Sequence, residues 1–256
     1  MPHGADIFYR QYKNNEDRFT YPVILIHGAG SDLFGWPVPI RRLPGQHIVA
    51  LDLPGHGQSE GPVYHSLPAL MDHLHRFILE LRLAHVVLAG CSLGGLIALD
   101  YTRRHPAQVK GLALISCGSQ FSLPEGLLES FGNPREAEKV KDQLNQVFFN
   151  KDFPHSMRQK ILKPFFQCRA EILKADFKIG LDNPITGNLD AIQCPVQIIS
   201  GYDNQVAAPY SVRKLAYMLP RADLHLIPAA GHMLLFEKTD QVTALLSGFL
   251  SGVASP

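Results

Sequence analysis

In the stretch HVVLAGCSLGGLIALDYTRRHP (residues 85–106), the hydroxyl of Ser92 stands between Gly90 and Gly94. A serine hydroxyl is a weak nucleophile near neutral pH. It attacks a carbonyl when a base takes its proton and a third group orients that base. Gly-x-Ser-x-Gly suits this chemistry where a strand turns sharply into a helix, because the turn lifts the hydroxyl clear of the sheet. A bulky residue two positions before or after the serine would meet neighbouring backbone. A serine that only capped the helix would not demand glycine on both sides. The pattern recurs at Gly57–Gly61 around Ser59, but that copy lies in LPGHGQSEGP, runs into Pro62 and has no strand ending at it. Ser92 follows a six-residue apolar run and precedes an amphipathic helix, and is therefore the candidate nucleophile.

On such a turn the partners are expected in the chain order serine, carboxylate, histidine. Of the twelve histidines, His232 alone lies after Ser92 and at a strand end, in the small-residue turn of ADLHLIPAAGHM. His27 and His56 sit in turns that invite backbone-directed hydrogen bonds. His73 and His75 are two apart on a helix and cannot share a face. The loop closing CPVQIISGYDNQV supplies Asp203 as candidate acid, and its charge is expected to raise the pKa of His232 above the ordinary value of about 6.5. The end of the preceding strand, ISCGS, has no carboxylate. Negative charge developing on the attacked oxygen calls for two preorganised N–H donors. Leu93, next after the nucleophile, offers one amide, and Ala29 in HGAG (residues 27–30) offers the other. No H-E-x-x-H or comparable ligand set is present, so neither a metal nor a cofactor is called for.

The elements that position these residues are legible in outline. Apolar runs in YPVILIHG, QHIVALDLPG, HVVLAGCS, VKGLALIS, CPVQIISG and ADLHLIPA are continuous rather than alternating, as in parallel strands buried on both faces. ADIFYRQY can supply one more edge strand. Helical patterns fall between the runs: Leu70, Leu74, Phe77, Ile78 and Leu81 share one face, and Tyr210 to Leu219 fills another interval. The alternation predicts an α/β fold with a mostly parallel sheet flanked by helices. Strand C-termini share one sheet edge, so Ser92, Asp203 and His232 can converge there. From Ser119 to Asp190 no Val/Ile-rich strand occurs. Asn133-Pro134 opens a helix there, and Pro154, Pro164 and Pro184 punctuate the rest. Residues 1–118 and 191–256 are read as the core, and 119–190 as an inserted helical cap. The cap holds eight of the fourteen phenylalanines: Phe121, Phe131, Phe148, Phe149, Phe153, Phe165, Phe166 and Phe177.

Composition bounds the remainder. The 256 residues carry a formal net charge of +1 with no Lys/Arg block, so a nucleic-acid partner is not expected. No continuous apolar run opens the chain and none approaches a membrane span. The protein is expected to be cytoplasmic, without a membrane partner, and a monomer or small homo-oligomer. Cys91, Cys117, Cys168 and Cys194 lack paired spacing and read as small apolar residues.

In HGAGSDLFGW, LDLPGHGQS, GCSLGG, CPVQIISGYDNQV and LIPAAGHMLLFEKTDQV, the chain resembles the α/β-hydrolase superfamily, in its capped branch of esterases, enol-lactonases and C–C hydrolases. GCSLGGLIAL is similar to carboxylesterases acting on pimeloyl-carrier methyl esters. The resemblance implies nucleophile Ser92, acid Asp203, base His232 and a helical cap, and it implies that LDLPGHGQS, with Asp52 and Ser59, is structural. In such proteins a two-strand ribbon often opens the fold, whereas only one convincing strand is legible before Tyr21. The leading expectation is hydrolysis of small to medium apolar carboxylic esters through an acyl-enzyme. The expected substrate is a small-molecule ester; Arg135, Lys139 and Lys141 read as a solvated helix face, the alternative being that they recruit an acidic carrier bearing the ester. C–C or enol-lactone cleavage with the same residues is the enzymatic alternative. A non-catalytic ligand-binding receptor on the same fold is the alternative of another class.

Overall fold

The computed structural model describes residues 3–4, 7–13 and 21–253. Its strands are β1 (His3–Gly4), β2 (Ile7–Tyr12), β3 (Val23–Ile26), β4 (Ile48–Leu51), β5 (Val86–Cys91), β6 (Val109–Ile115), β7 (Val196–Gly201) and β8 (Ala222–Ile227). They form one sheet in the order β1-β2-β4-β3-β5-β6-β7-β8. From β4 to β8 all pairings are parallel, whereas β2 runs antiparallel to β4 and β1 antiparallel to β2. Two strands thus precede Tyr21 where one was legible, because β1 is too short to show any periodicity.

The apolar runs become strands because both faces of the sheet are covered. Ile24 and Ile26 point to one side, where α2 (Leu67–Glu80), α3 (Leu93–Arg104) and α8 (Pro209–Met218) bring Phe77, Leu96 and Leu215. Val23 and Leu25 point to the other, where α1 (Val38–Arg41) and α10 (Thr239–Gly252) bring Ile40, Val242 and Leu246. Each such side chain contributes roughly 1.5–3 kcal/mol when withdrawn from water. β8, at the edge, is only partly buried along most of its length.

Between β6 and β7 the described chain is helical throughout its regular structure: α4 (Leu127–Ser130), α5 (Ala137–Phe148), α6 (His155–Gln167) and α7 (Ala170–Asp182). Asn133 caps the 3-10 turn that opens α5, its side-chain oxygen accepting from the Arg135 amide. Pro164 does not end a helix, as its position suggests, but sits inside α6. There it removes one intrahelical donor near the helix end. A short α9 (Leu234–Glu237) precedes α10, and no helix among the described residues is long and apolar enough to cross a membrane.

Candidate active site

β3 and β5 are parallel neighbours with Ile26 opposite Gly90, and the chain leaves them toward opposite sides of the sheet. A crevice forms at the strand C-termini of such a switch point. HGAG leaves β3 there and Ser92 leaves β5. The backbone at Ser92 has φ 52° and ψ −116°, a strained combination for a residue with a Cβ. The two glycines permit it. A Cβ on Gly90 would strike the Gly94 carbonyl and lie 2.6 Å from the Gly95 nitrogen, and one on Gly94 would strike the Ile26 carbonyl. Strand, turn and helix therefore pack closer than any side chain allows.

The Ser92 hydroxyl makes no capping bond to α3 and lies 3.0 Å from Nε2 of His232. The Ser92 carbonyl accepts from the Gly95 and Leu96 amides. The amide of Leu93, first residue of α3, has no intrahelical partner, as at any helix start. Ala29 faces the same space: it lines a narrow cleft together with Ser92 and Leu93. The HGAG loop passes so close that a Cβ on Gly28 would be 3.3 Å from Cβ of Ser92. Ala29 and Leu93 are therefore both placed beside the nucleophile.

His232 is buried, with its ring centroid 5.4 Å from that of Phe148. Its carbonyl accepts from Ser116 Oγ at 2.8 Å, which fixes the turn. Burial pulls the imidazole pKa down to about 4, so the ring is a neutral base at ordinary pH. This is the reverse of the rise expected from an adjacent carboxylate.

The difference lies one residue along the β7 loop. Asp203 does not meet His232: its side chain is exposed, and its carboxylate accepts from Asn150 Nδ2 at 2.7 Å. The atom opposite His232 Nδ1, at 3.1 Å, is Oδ1 of the buried Asn204. That oxygen also accepts from the Val206 and Ala207 amides at 3.0 and 2.9 Å. A side chain that caps two buried amides must turn inward, and its predecessor is left facing out. Asparagine and aspartate both cap amides at turns, so residue type alone does not separate Asn204 from Asp203 in the sequence.

A second cluster ties the helical segment to HGAG. Asp176 of α7 accepts from the Gly30 amide at 2.9 Å and lies 2.8 Å from His56 Nε2, with both side chains buried. Burial opposes charging of His56, but the Asp176 carboxylate, by charge and hydrogen bond, outweighs it and raises the pKa. His56 also contacts the Pro54 carbonyl, the backbone role expected of a turn histidine. Its partner, 120 residues away, leaves no local trace. His27 is neutral, pulled down to about 3 by burial, and its Nε2 accepts from the Leu53 amide.

Over Ser92 opens an apolar pocket of about 360 Å³, roofed by Phe148, Phe165 and Phe177 and walled by Trp36 and Leu235. Other phenylalanines pack the roof itself: Phe131 stacks on Phe177, and Phe149 on Phe153. Cys91 also lines the pocket, but burial pushes its thiol up to about 12, so it stays protonated beside the serine. Lys139 and Lys141 pair with Glu136 and Glu138 of their own segment. Among the described residues no three His, Cys, Asp or Glu side chains gather as a metal site.

A mostly parallel sheet flanked by helices, with a serine on a strained elbow and a histidine at hydrogen-bond distance from it, is the architecture of an α/β hydrolase. The alpha/beta hydrolase family model matches residues 23–245, and the chain belongs to that family. It is 27% identical to Lipase 1 of Psychrobacter immobilis, over 94% of this chain and 80% of that protein. It is also 27% identical to a 2-hydroxymuconate semialdehyde hydrolase of Pseudomonas sp. (strain CF600), over 90% of this chain and 87% of that one. The fold superposes on that of the enol-lactonase from Burkholderia xenovorans LB400 with a TM-score of 0.85, at 21% identity and 96% coverage of both chains.

Proposed function

We propose that the protein is a serine hydrolase that cleaves carboxylic esters of small to medium apolar acyl groups through an acyl-enzyme. The observation that carries this reading is the 3.0 Å contact between Ser92 Oγ and His232 Nε2 on a strained elbow beneath an apolar pocket. Ser92 attacks the carbonyl carbon while His232 Nε2 takes its proton. The oxyanion is held by the Ala29 and Leu93 amides, and loss of one such donor typically costs about a hundred- to thousand-fold in rate. His232 returns the proton to the departing alcohol, and water then repeats the sequence on the acyl-enzyme. Residues 119–190 act as a cap whose phenylalanines select apolar substrates. The paired Lys139 and Lys141 favour a free small molecule over an acidic carrier.

Affinity rises by roughly 0.8 kcal/mol per buried methylene until the pocket is full. With p-nitrophenyl esters from acetate to palmitate, kcat/KM should therefore climb and then fall. A profile that only declines beyond acetate defeats the apolar-pocket reading. C–C or enol-lactone cleavage is the second reading, favoured by the 27% identity to a semialdehyde hydrolase. Faster turnover of an enol-lactone than of every ester in the series would put it first.

A further inference from the structure

We infer that Asn204, a neutral amide rather than a carboxylate, is the positioning residue that holds His232 in the tautomer able to accept a proton from Ser92. The inference deepens the serine-hydrolase reading and rests on it. To act as base, His232 needs a lone pair on Nε2, so its hydrogen must sit on Nδ1, and Nδ1–H needs an acceptor. An asparagine side chain offers an oxygen and an NH₂ group of similar shape, and the wrong end would force the hydrogen onto Nε2. Here the choice is made by backbone. The Val206 and Ala207 N–H groups both donate to the atom that faces His232, and only an oxygen can accept them. The NH₂ end is turned away, 3.2 Å from Ser200 Oγ. The acceptor end of Asn204 is thus locked toward the ring, a constraint that a freely rotating amide lacks.

No carboxylate takes this place. Asp203, on the loop after β7, and Glu237, the last residue of α9, are both engaged elsewhere. Asp203 accepts from Asn150 Nδ2, and Glu237 accepts from the Asn150 and Gly231 amides at 2.8 and 3.0 Å. Cys91 and Cys117 stay protonated, and Asp32 and Lys160 line the pocket beyond the ring. Burial is the one cause that lowers the His232 pKa, with no charged neighbour contributing. The partner at Nδ1 is thus a neutral dipole, and burial keeps the ring unprotonated well below the ordinary histidine pKa.

The test combines histidine ¹⁵N NMR with pH–rate profiles of kcat/KM in the full chain. Wild type should show the Nδ1–H tautomer and an acid limb well below 6.5. N204D keeps an acceptor for the same three N–H groups, and Ser200 can rotate its hydroxyl to donate. An adjacent opposite charge typically raises a pKa by about 1–3 units, so the His232 titration and the acid limb should both move up by at least about one. N204L should lower kcat by about a hundredfold or more with little change in KM, as removal of tautomer control does elsewhere. D203N should alter kcat less than about threefold and leave the ring titration in place. A D203N variant that shifts that titration or costs about a hundredfold overturns the inference, as does an N204D variant that leaves the titration unmoved. The ring signals are readable whether or not an ester is cleaved. Wild-type protein inactive on every ester would sink the ester-hydrolase reading while the tautomer result stands.

Discussion

The chain writes Gly-x-Ser-x-Gly twice, and the two copies have opposite fates. At Gly90–Gly94 the serine is strained and its hydroxyl meets a neutral histidine in an open pocket. At Gly57–Gly61 the serine is buried, its hydroxyl donating to the Asp52 carbonyl and accepting from the Phe8 amide, both at 2.7 Å. Glycine is needed at the second site for another reason: Gly57 has φ 52°, and a Cβ there would strike the Asp52 carboxylate. That carboxylate accepts from the Leu33 and Gln58 amides and so folds the loop. One copy leaves its hydroxyl facing His232 at the pocket floor. The other spends it joining β2 to the sheet. The pentapeptide permits a tight turn in both cases, and its surroundings decide the use.

The loop of the second copy is not remote from the site, since it also carries His56, whose partner Asp176 holds the Gly30 amide beside Ala29. Substitutions can therefore separate the two roles. The largest effect is expected for Ser92→Ala, which should cut ester hydrolysis by at least about 10⁴-fold while the melting temperature stays close to wild type. If Ser59→Ala abolishes turnover and Ser92→Ala does not, the two assignments are reversed. Asp176→Asn comes next. It removes the charge facing a buried His56, and breaking a buried pair typically costs about 3 kcal/mol. Because the folded His56 pKa is raised, the pair's stabilisation is fully present below about 6.5 and is lost as pH climbs through the folded value. Thermal unfolding of wild type should thus weaken on the alkaline side, and Asp176→Asn should flatten that slope. An unchanged slope would mean that His56 is not charged in the folded protein. Ser59→Ala is the smallest: about 1–2 kcal/mol from two unmet backbone groups, read in a denaturant melt, with kcat within about threefold of wild type.

Much of this arrangement is visible in local sequence because its causes are local. Continuous apolar runs mark strands covered on both faces, and Gly90 and Gly94 mark a turn that no Cβ can enter. The α/β fold and the identities of Ser92 and His232 as candidates follow from those patterns. Ala29 and Leu93 follow as well, since each is placed by its distance from a strand end. Strand β1 was hidden for want of length, and Pro164 misleads because α6 tolerates a proline near its C-terminal end.

What tertiary structure alone decided is which of two adjacent polar residues, Asp203 or Asn204, faces the histidine. By residue type the carboxylate is the better partner, and nothing in the strand pattern separates neighbours in a loop. The choice was made by the Val206 and Ala207 amides, which need an acceptor and draw Asn204 inward. Asp203, one position earlier, is left facing out toward Asn150. The Asp176–His56 pair was equally out of reach of the sequence, because two residues so far apart meet only after the helical segment has docked. Periodicity and sterics act on near neighbours and can be read along the chain. Burial and the satisfaction of buried polar groups depend on what the fold brings together, and they set the partner and the charge of His232.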